Sequence, residues 1–296
     1  MSINKWLKRH THSLKGKKVA VSGATGGIGR ELCAHLASLG ASLVLVDRNQ
    51  SRSESLEASL KDRFPALSVT RIRADMESLE DVKNAARELI AANIDYLVLN
   101  AGAYHIPRHV CDSGYNNVFQ INYVSPYLLA RTLLPHISAR GGRIVAVGSI
   151  AHNYSKTDMA DLDFSSRERS SLVYGNAKRH LMFSLLSLNS DSIVLTHPGI
   201  TLTGITAHYP KLIFALIKHP MKVIFMRPKK ASLCILAGIF QRAPQWGWIG
   251  PSLFDVWGLP SAKKLRTCSV EERTRIAHTA EEIYARLGEQ RDTVDK

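Results

Sequence analysis

Apolar runs alternate with helical stretches along this chain from Lys18 onward. Val19-Ala-Val-Ser-Gly23 reads as a short buried strand, and Gly27 to Leu39 as a helix closed by Gly40. A second strand, Ser42 to Asp47, leads into a polar helix from about Ser51 to Phe64, stopped near Pro65. Leu67 to Ala74 is a third strand and Leu79 to Ala92 a third helix; Ile94 to Asn100 is a fourth strand. The pattern predicts one long helix over Gly114 to Ile137, despite Pro126 and Pro135, and a fifth strand over Arg143 to Gly148. Leu172 to Leu188 is helical again, and Ser192 to Thr196 is a sixth strand. Continuously apolar strands separated by helices call for a parallel sheet covered on both faces. Right-handed crossovers then give an α/β fold, a doubly wound Rossmann-like parallel sheet in a single domain. Trp246, Trp248 and Trp257, with Gly250-Pro251, are expected to close the core after a short seventh strand.

Composition narrows the class. The chain has 296 residues, 45% of them hydrophobic, which is enough for a sizeable core and excludes intrinsic disorder. Cys33, Cys111, Cys234 and Cys268 form no CxxC pair, so a disulfide scaffold is not expected and a reducing, cytoplasmic setting is. The twelve histidines show no paired spacing such as HExxH, so no metal site is expected. Lys and Arg number 39 against 25 acids, a net charge of +14, which invites nucleic acid, an anionic membrane or an anionic cofactor as partner. No aromatic-interleaved basic motif supports nucleic acid.

Three segments follow from the charge pattern. Residues 1–16 form a basic lead-in without an apolar stretch of secretory-signal length; Trp6 and Leu7 beside lysines could touch a membrane surface, but the reading adopted is a solvated arm. Residues 17–262 form the domain, with no run of 18 apolar residues to span a bilayer. Residues 263–296 form a charged tail whose helix, Val270 to Leu287, reads as solvent-exposed or at a subunit contact.

In doubly wound sheets, ligands bind at the carboxyl ends of the strands. There, Ser22-Gly-Ala-Thr-Gly-Gly-Ile-Gly29 follows a strand and opens a helix. Glycines let that backbone approach a pyrophosphate held by the helix N-terminus, which makes Ser22, Gly23, Thr25, Gly27, Ile28 and Gly29 cofactor candidates. Asp47, ending the second strand, suits ribose hydroxyls and favours NAD; Arg48 beside it suits a 2′-phosphate and keeps NADP open. Tyr174 and Lys178 lie four apart on one helical face, where an ammonium can lower the phenol pKa for proton exchange. Ser149, ending the fifth strand, is the hydroxyl that would hold a substrate oxygen.

Together these motifs resemble the short-chain dehydrogenase/reductase family over roughly Lys17 to Thr203. Gly23-x-x-x-Gly27-x-Gly29 resembles its cofactor loop. Asp75, followed by Met76, resembles the acid that contacts adenine. Asn100-Ala101-Gly102 resembles the fourth-strand NAG. Asn122, Ser149, Tyr174 and Lys178 resemble the catalytic tetrad, and Pro198-Gly199-x-x-x-Thr203 the segment at the nicotinamide. The resemblance implies hydride transfer with a nicotinamide cofactor. Tyr174 would be the general acid/base, Lys178 would bind the nicotinamide ribose, Asn122 would hold a water, and the protein would be a homo-oligomer. Leu99 and Gly148 depart from common family residues without removing a catalytic group. Gly23, Gly26 and Gly29 also fit the GxxGxxG of nucleotide-sugar epimerases, an alternative chemistry on the same Tyr and Lys; a catalytically silent cofactor-binding regulator is the other alternative.

On the substrate side, the polar insertion His152 to Ser171, with Ser149-Ile-Ala-His152 and Asp161-Leu-Asp-Phe, resembles the retinol dehydrogenase-like branch and implies a hydrophobic alcohol or carbonyl. His105, His152 and Tyr154 read as wall or surface rather than catalytic. In this family the region after Thr203, here about 203–230, forms a mobile lid. Tyr209 to Lys218 and Pro220 to Arg227 are apolar and punctuated by bases. That pattern suits an apolar small-molecule substrate, peripheral contact with a membrane surface, or packing in the core or a dimer.

Overall fold

The computed structural model describes residues 2–201 and 226–288. The short apolar runs form strands β1 (Lys18–Ser22), β2 (Ser42–Asp47), β3 (Val69–Arg73), β4 (Tyr96–Leu99), β5 (Arg143–Val147), β6 (Ile193–Thr196) and β7 (Gly247–Leu253). An eighth, β8 (Trp257–Lys264), completes one sheet in the order β3-β2-β1-β4-β5-β6-β7-β8. Neighbours from β3 across to β7 pair in parallel, and β8 pairs antiparallel with β7. The order reverses between β1 and β4, which opens the crevice where ligands of such sheets bind.

Alternate strand residues feed two cores. Val19, Val21, Leu43, Leu45, Val98 and Val145 pack under α2 (Gly27–Ser38) and α8 (Pro228–Phe240). Ala20, Val44, Leu97, Leu99, Ile144 and Ala146 pack under α4 (Leu79–Ala91), α6 (Ser125–Ala139) and α7 (Ser170–Ser187). Burial on both faces is why the central strands read as continuously apolar. The polar helix is α3 (Gln50–Arg63), which buries Ser53, Leu56 and Leu60 against the sheet edge.

Three expectations change, and one strand is new. The basic lead-in is not a solvated arm: it forms α1 (Ile3–His10), and Trp6 is 2% exposed within the core beneath α2 and α8. The helix expected over Gly114 to Ile137 instead begins as a short turn, α5 (Asn117–Phe119), and passes through a π-helical turn (Gln120–Val124) into α6. Pro126 sits in the first residues of α6, where its missing N–H is tolerated. The C-terminal helix, α9 (Val270–Leu287), is not a solvated tail; Glu272, Ile276, Thr279, Ala280 and Ile283 form a buried stripe of helical period against the body. The strand β8 was not anticipated because it carries Gly258, Pro260, Lys263 and Lys264, residues that suit an edge. Of the expected closing tryptophans, Trp248 is buried and Trp257 is 43% exposed.

Thr203 and most of the expected lid lie outside the described residues. The described end of that stretch, Met226, is buried and bridges Thr201, and Pro228 already opens α8. Among the described residues, no helix is long and apolar enough to cross a membrane.

Candidate active site

The glycine loop is built on close approach. Gly23 has φ +63°, and a Cβ there would lie 2.9 Å from the Ala101 Cα. A Cβ on Gly29 would lie 2.3 Å from the Gly23 carbonyl oxygen, so the helix can start this close to the strand only with glycine. No side chain caps the N-terminus of α2 and no acid lies in its first turn, which leaves that end suited to an anion. The loop borders a cavity of about 720 Å³. Gly23, Thr25, Gly27, Ile28, Gly29, Asp47, Arg48, Asp75, Met76, Asn100, Ala101 and Gly102, all cofactor candidates from the sequence, line it. Its size, its glycine floor and its open helix end fit a dinucleotide.

Ser22 is different. It is 2% exposed, and its hydroxyl donates to the Val98 carbonyl and accepts from the amides of Asn100 and Ala101. It joins β1 to the end of β4 rather than facing the cavity. Asn100 does related work, its amide donating to the carbonyls of Ser22 and Gly23. Pro198 and Gly199 are not in the cavity wall, and Thr203 lies outside the described residues.

Asp47 is 7% exposed and accepts from the Thr25 hydroxyl at 2.9 Å and the Thr25 amide at 3.2 Å. Burial pushes its pKa up to about 6, against the lowering effect of the Thr25 hydrogen bonds. Because the folded value lies above the ordinary one, the unfolded chain holds fewer protons between about pH 4 and pH 6. Stability therefore declines as pH rises through that window, and the ionised carboxylate is a standing cost to the cofactor-free fold above it. Arg48, on the rim, is 67% exposed and lies 4.0 Å from Glu77.

None of the four catalytic candidates lines this cavity; they gather behind Gly102 and Tyr104, which do. Asn122 lies in the π-helical turn, which frees the Val118 carbonyl from the regular ladder; its amide donates to that carbonyl and to the Ala103 carbonyl, each at 2.8 Å. Its Oδ1 accepts from the Ala103 amide at 3.3 Å. A Cβ on Gly102 would lie 2.8 Å from that Oδ1 and 3.6 Å from Lys178 Nζ, so glycine leaves the passage between cavity and lysine open. Lys178 Nζ donates to the Val147 carbonyl at 3.0 Å and lies 5.8 Å from the Tyr174 ring centre. Tyr174 and Ser149 are joined by a side-chain hydrogen bond. Burial pushes the Tyr174 phenol up to about 12, with the Ser149 hydrogen bond opposing, and pushes Lys178 down to about 8. At neutral pH the set therefore holds a protonated phenol beside an ammonium.

Some contributors had no sequence signal. Tyr104 lines the cavity and meets the Tyr174 ring edge-on at 5.4 Å; only its place two residues after Gly102 could have suggested it. Arg52, Ile106 and Ile121 also line the cavity and belong to no motif.

Comparison with known proteins bears on the fold and the family. The short chain dehydrogenase family model matches residues 17–160. Mouse (Mus musculus) polyprenol dehydrogenase is 30% identical over 208 residues, 65% of this chain and 62% of that protein. Over residues 17–160 the chain thus matches the short-chain dehydrogenase/reductase family. The chain is an oxidoreductase of that kind, and its relatives include retinol dehydrogenase 14 of Mus musculus, 29% identical over 66% of this chain and 64% of that protein. The chloroplastic short-chain dehydrogenase TIC 32 A of Brassica napus is 28% identical over 71% and 68%. In fold, this chain matches an uncharacterized protein of Mycobacterium paratuberculosis with a TM-score of 0.68 at 23% identity, covering 94% of each chain. Tyr174 and Lys178 lie beyond the segment that the family model matches, so their pairing rests on the geometry above.

Proposed function

We propose that this enzyme moves hydride between NAD(H) and a hydrophobic alcohol or carbonyl compound, with Tyr174 as general acid/base. The observation that carries the reading is the convergence of Ser149, Tyr174 and Lys178 behind Gly102 and Tyr104, two residues that line the cavity bordered by the glycine loop. The nicotinamide cofactor, when bound, supplies the hydride chemistry. The chain's own residues do the rest. Gly27, Ile28 and Gly29 present the open N-terminus of α2 to a diphosphate. Ser149 and Tyr174 hydrogen-bond the reacting oxygen, and Tyr174 exchanges its phenolic proton with it. Lys178 binds the nicotinamide ribose and stabilises the phenolate. Asn122 holds the β4 loop and supports a water that feeds protons toward Lys178. Asp75 and Met76, which line the cavity, would hold the adenine, and Pro198 and Gly199 would serve the nicotinamide end, as the family resemblance implies.

NAD is favoured over NADP because a buried carboxylate at Asp47 repels a 2′-phosphate and accepts from ribose hydroxyls. Arg48 is a weaker argument for NADP, being largely exposed. Parallel titrations of NADH and NADPH, followed by protein fluorescence, test this; a clear NADPH preference would reverse it. Asp47→Asn is expected to weaken NADH binding about tenfold or more and narrow the gap to NADPH. The same substitution should stabilise the cofactor-free protein at pH 7 by on the order of 1 kcal/mol, read by thermal melts. A loss of stability would contradict the burial cost assigned to this carboxylate.

The intact Ser149, Tyr174 and Lys178 set argues against a silent regulator, and the NAG segment argues against epimerase chemistry. We further infer a homo-oligomer in the cytoplasm that meets its apolar substrate at a membrane surface without spanning it. The net charge of +14 and the bases among the apolar residues of 203–230 support the membrane contact. Flotation with vesicles of anionic lipid should carry the wild type upward at low salt and release it at high salt. Failure to float would end the membrane reading and leave the chemistry untouched.

A further inference from the structure

The ring of His152 takes no part in the proposed proton transfer, yet it is 1% exposed and fully engaged. It lies in the 3₁₀ turn Ile150–Tyr154, three residues after Ser149. Its Nδ1 is 2.6 Å from the Ser149 carbonyl oxygen, and its Nε2 is 2.8 Å from Thr267 Oγ1. A carbonyl only accepts, so Nδ1 carries the proton; Nε2 is then the acceptor and the Thr267 hydroxyl donates to it. The ring is wedged between Trp248 and Phe183, edge-on to both.

Arg179, the residue after Lys178, closes the arrangement. It is 2% exposed and donates through Nη1 to the His152 carbonyl at 3.1 Å and through Nη2 to the Thr267 carbonyl at 2.5 Å. The two groups that flank the imidazole, its own backbone and Thr267, are therefore fixed by one planar guanidinium. On the other side, the Ser149 carbonyl also accepts from the His152 amide at 3.2 Å, and Ser149 Oγ accepts from the Ala151 amide at 3.2 Å. The Ser149 carbonyl is thus held twice, and its hydroxyl oxygen is held from the turn by the Ala151 amide while it hydrogen-bonds the Tyr174 phenol.

We propose that His152 is a positioning residue: its Nδ1–H, locked from the C-terminal side of the fold by Thr267, fixes the Ser149 carbonyl and thereby aims the Ser149 hydroxyl at the reacting oxygen. The aiming rests on the proposed role of Ser149 in catalysis; the fixing of the turn does not, and the two are read separately.

The test compares His152→Leu, which removes both hydrogen bonds, with His152→Asn, whose Nδ2 falls near the place of Nδ1 and restores the donor to Ser149. Hydrogen exchange of the Ala151 and His152 amides reads the turn itself. Exchange should rise about tenfold or more in His152→Leu and return close to wild type in His152→Asn. Turnover of an apolar ketone reads the consequence: kcat should fall about 10²-fold in His152→Leu with the KM for NADH unchanged, and recover in His152→Asn. Thr267→Val, which removes only the donor to Nε2, should move the same amides in the same direction by less, and gives the answer if His152→Leu does not fold. Unchanged exchange at Ala151 in folded His152→Leu or Thr267→Val overturns the proposal, as does an Asn variant no better than Leu. Should the wild type turn over no ketone or alcohol, the exchange arms still decide the fixing of the turn, and only the proposed chemistry fails.

Discussion

Tyr174→Phe is expected to reduce turnover by about 10²–10⁴-fold while leaving NADH binding largely intact. The phenol oxygen is the only part of the side chain removed, and the ring keeps its packing against Tyr104. Ser149 cannot replace it as an acid, because a serine hydroxyl does not ionise in the working range. Lys178 cannot replace it either, since its Nζ is held by the Val147 carbonyl 5.8 Å from the centre of the tyrosine ring. The direction of the pH dependence follows from the same set. Burial lowers Lys178 to about 8, so its charge is present at pH 7 and is lost as pH rises through about 8. A phenolate left on Tyr174 after carbonyl reduction loses its stabilising neighbour there. The kcat/KM for NADH, which reports the free enzyme, should accordingly fall on the alkaline side of pH 8. Substantial residual turnover in Tyr174→Phe would remove the tyrosine from its assigned role.

The second large effect is on stability, not chemistry. Glu272→Ala is expected to destabilise the fold by about 3–5 kcal/mol, because it leaves the Arg179 guanidinium buried without its counter-charge. Glu272 Oε1 is 2.7 Å from Arg179 Nε, Oε2 is 2.5 Å from Nη2, and Oε1 also accepts from the amide and hydroxyl of Thr157. Burial alone would raise the carboxyl; the bonds from Arg179 and Thr157 outweigh it and hold the group down at about 2. The sign is then the usual one for an acid. The pair's contribution is complete above the ordinary glutamate pKa and is lost as pH falls toward 2. Thermal melts at pH 7 should show a drop in Tm of roughly 10 °C. The double substitution Arg179→Met with Glu272→Leu should recover much of this, since it removes both charges together. A single substitution that costs less than the double would contradict the account.

The central sheet was legible because its strands are buried on both faces. Val19 to Ser22 and Ser42 to Asp47 have no polar face to confuse with a surface strand or an amphipathic helix. The glycine loop was legible for a similar reason: a Cβ on Gly23 or Gly29 would lie less than 3 Å from backbone atoms, which leaves room for only one residue type. What escaped the sequence depended on distant partners. The lysines of α1 suggested a solvated arm, but one tryptophan, Trp6, reaching the core decides where the helix lies. Similarly, the Glu and Arg residues of α9 mask its buried stripe, and the partner of Glu272 is 93 residues away. Asn122 was placed by its motif, but the π-helical turn that lets its amide reach the Val118 carbonyl has no periodicity to reveal it. Ser22 was placed in the cofactor set by adjacency, whereas its hydroxyl is used between β1 and β4.

The measurement that bears most directly on the whole account is the absorbance of the reduced nicotinamide during incubation of wild type and Tyr174→Phe with a panel of apolar ketones and, in the reverse direction, alcohols. The account predicts consumption of NADH by the wild type with at least one apolar ketone, matched by NADH formation from the corresponding alcohol, and neither with Tyr174→Phe at equal cofactor occupancy. Tight NADH binding by the wild type with no turnover across the panel, or equal turnover by the two proteins, would contradict it.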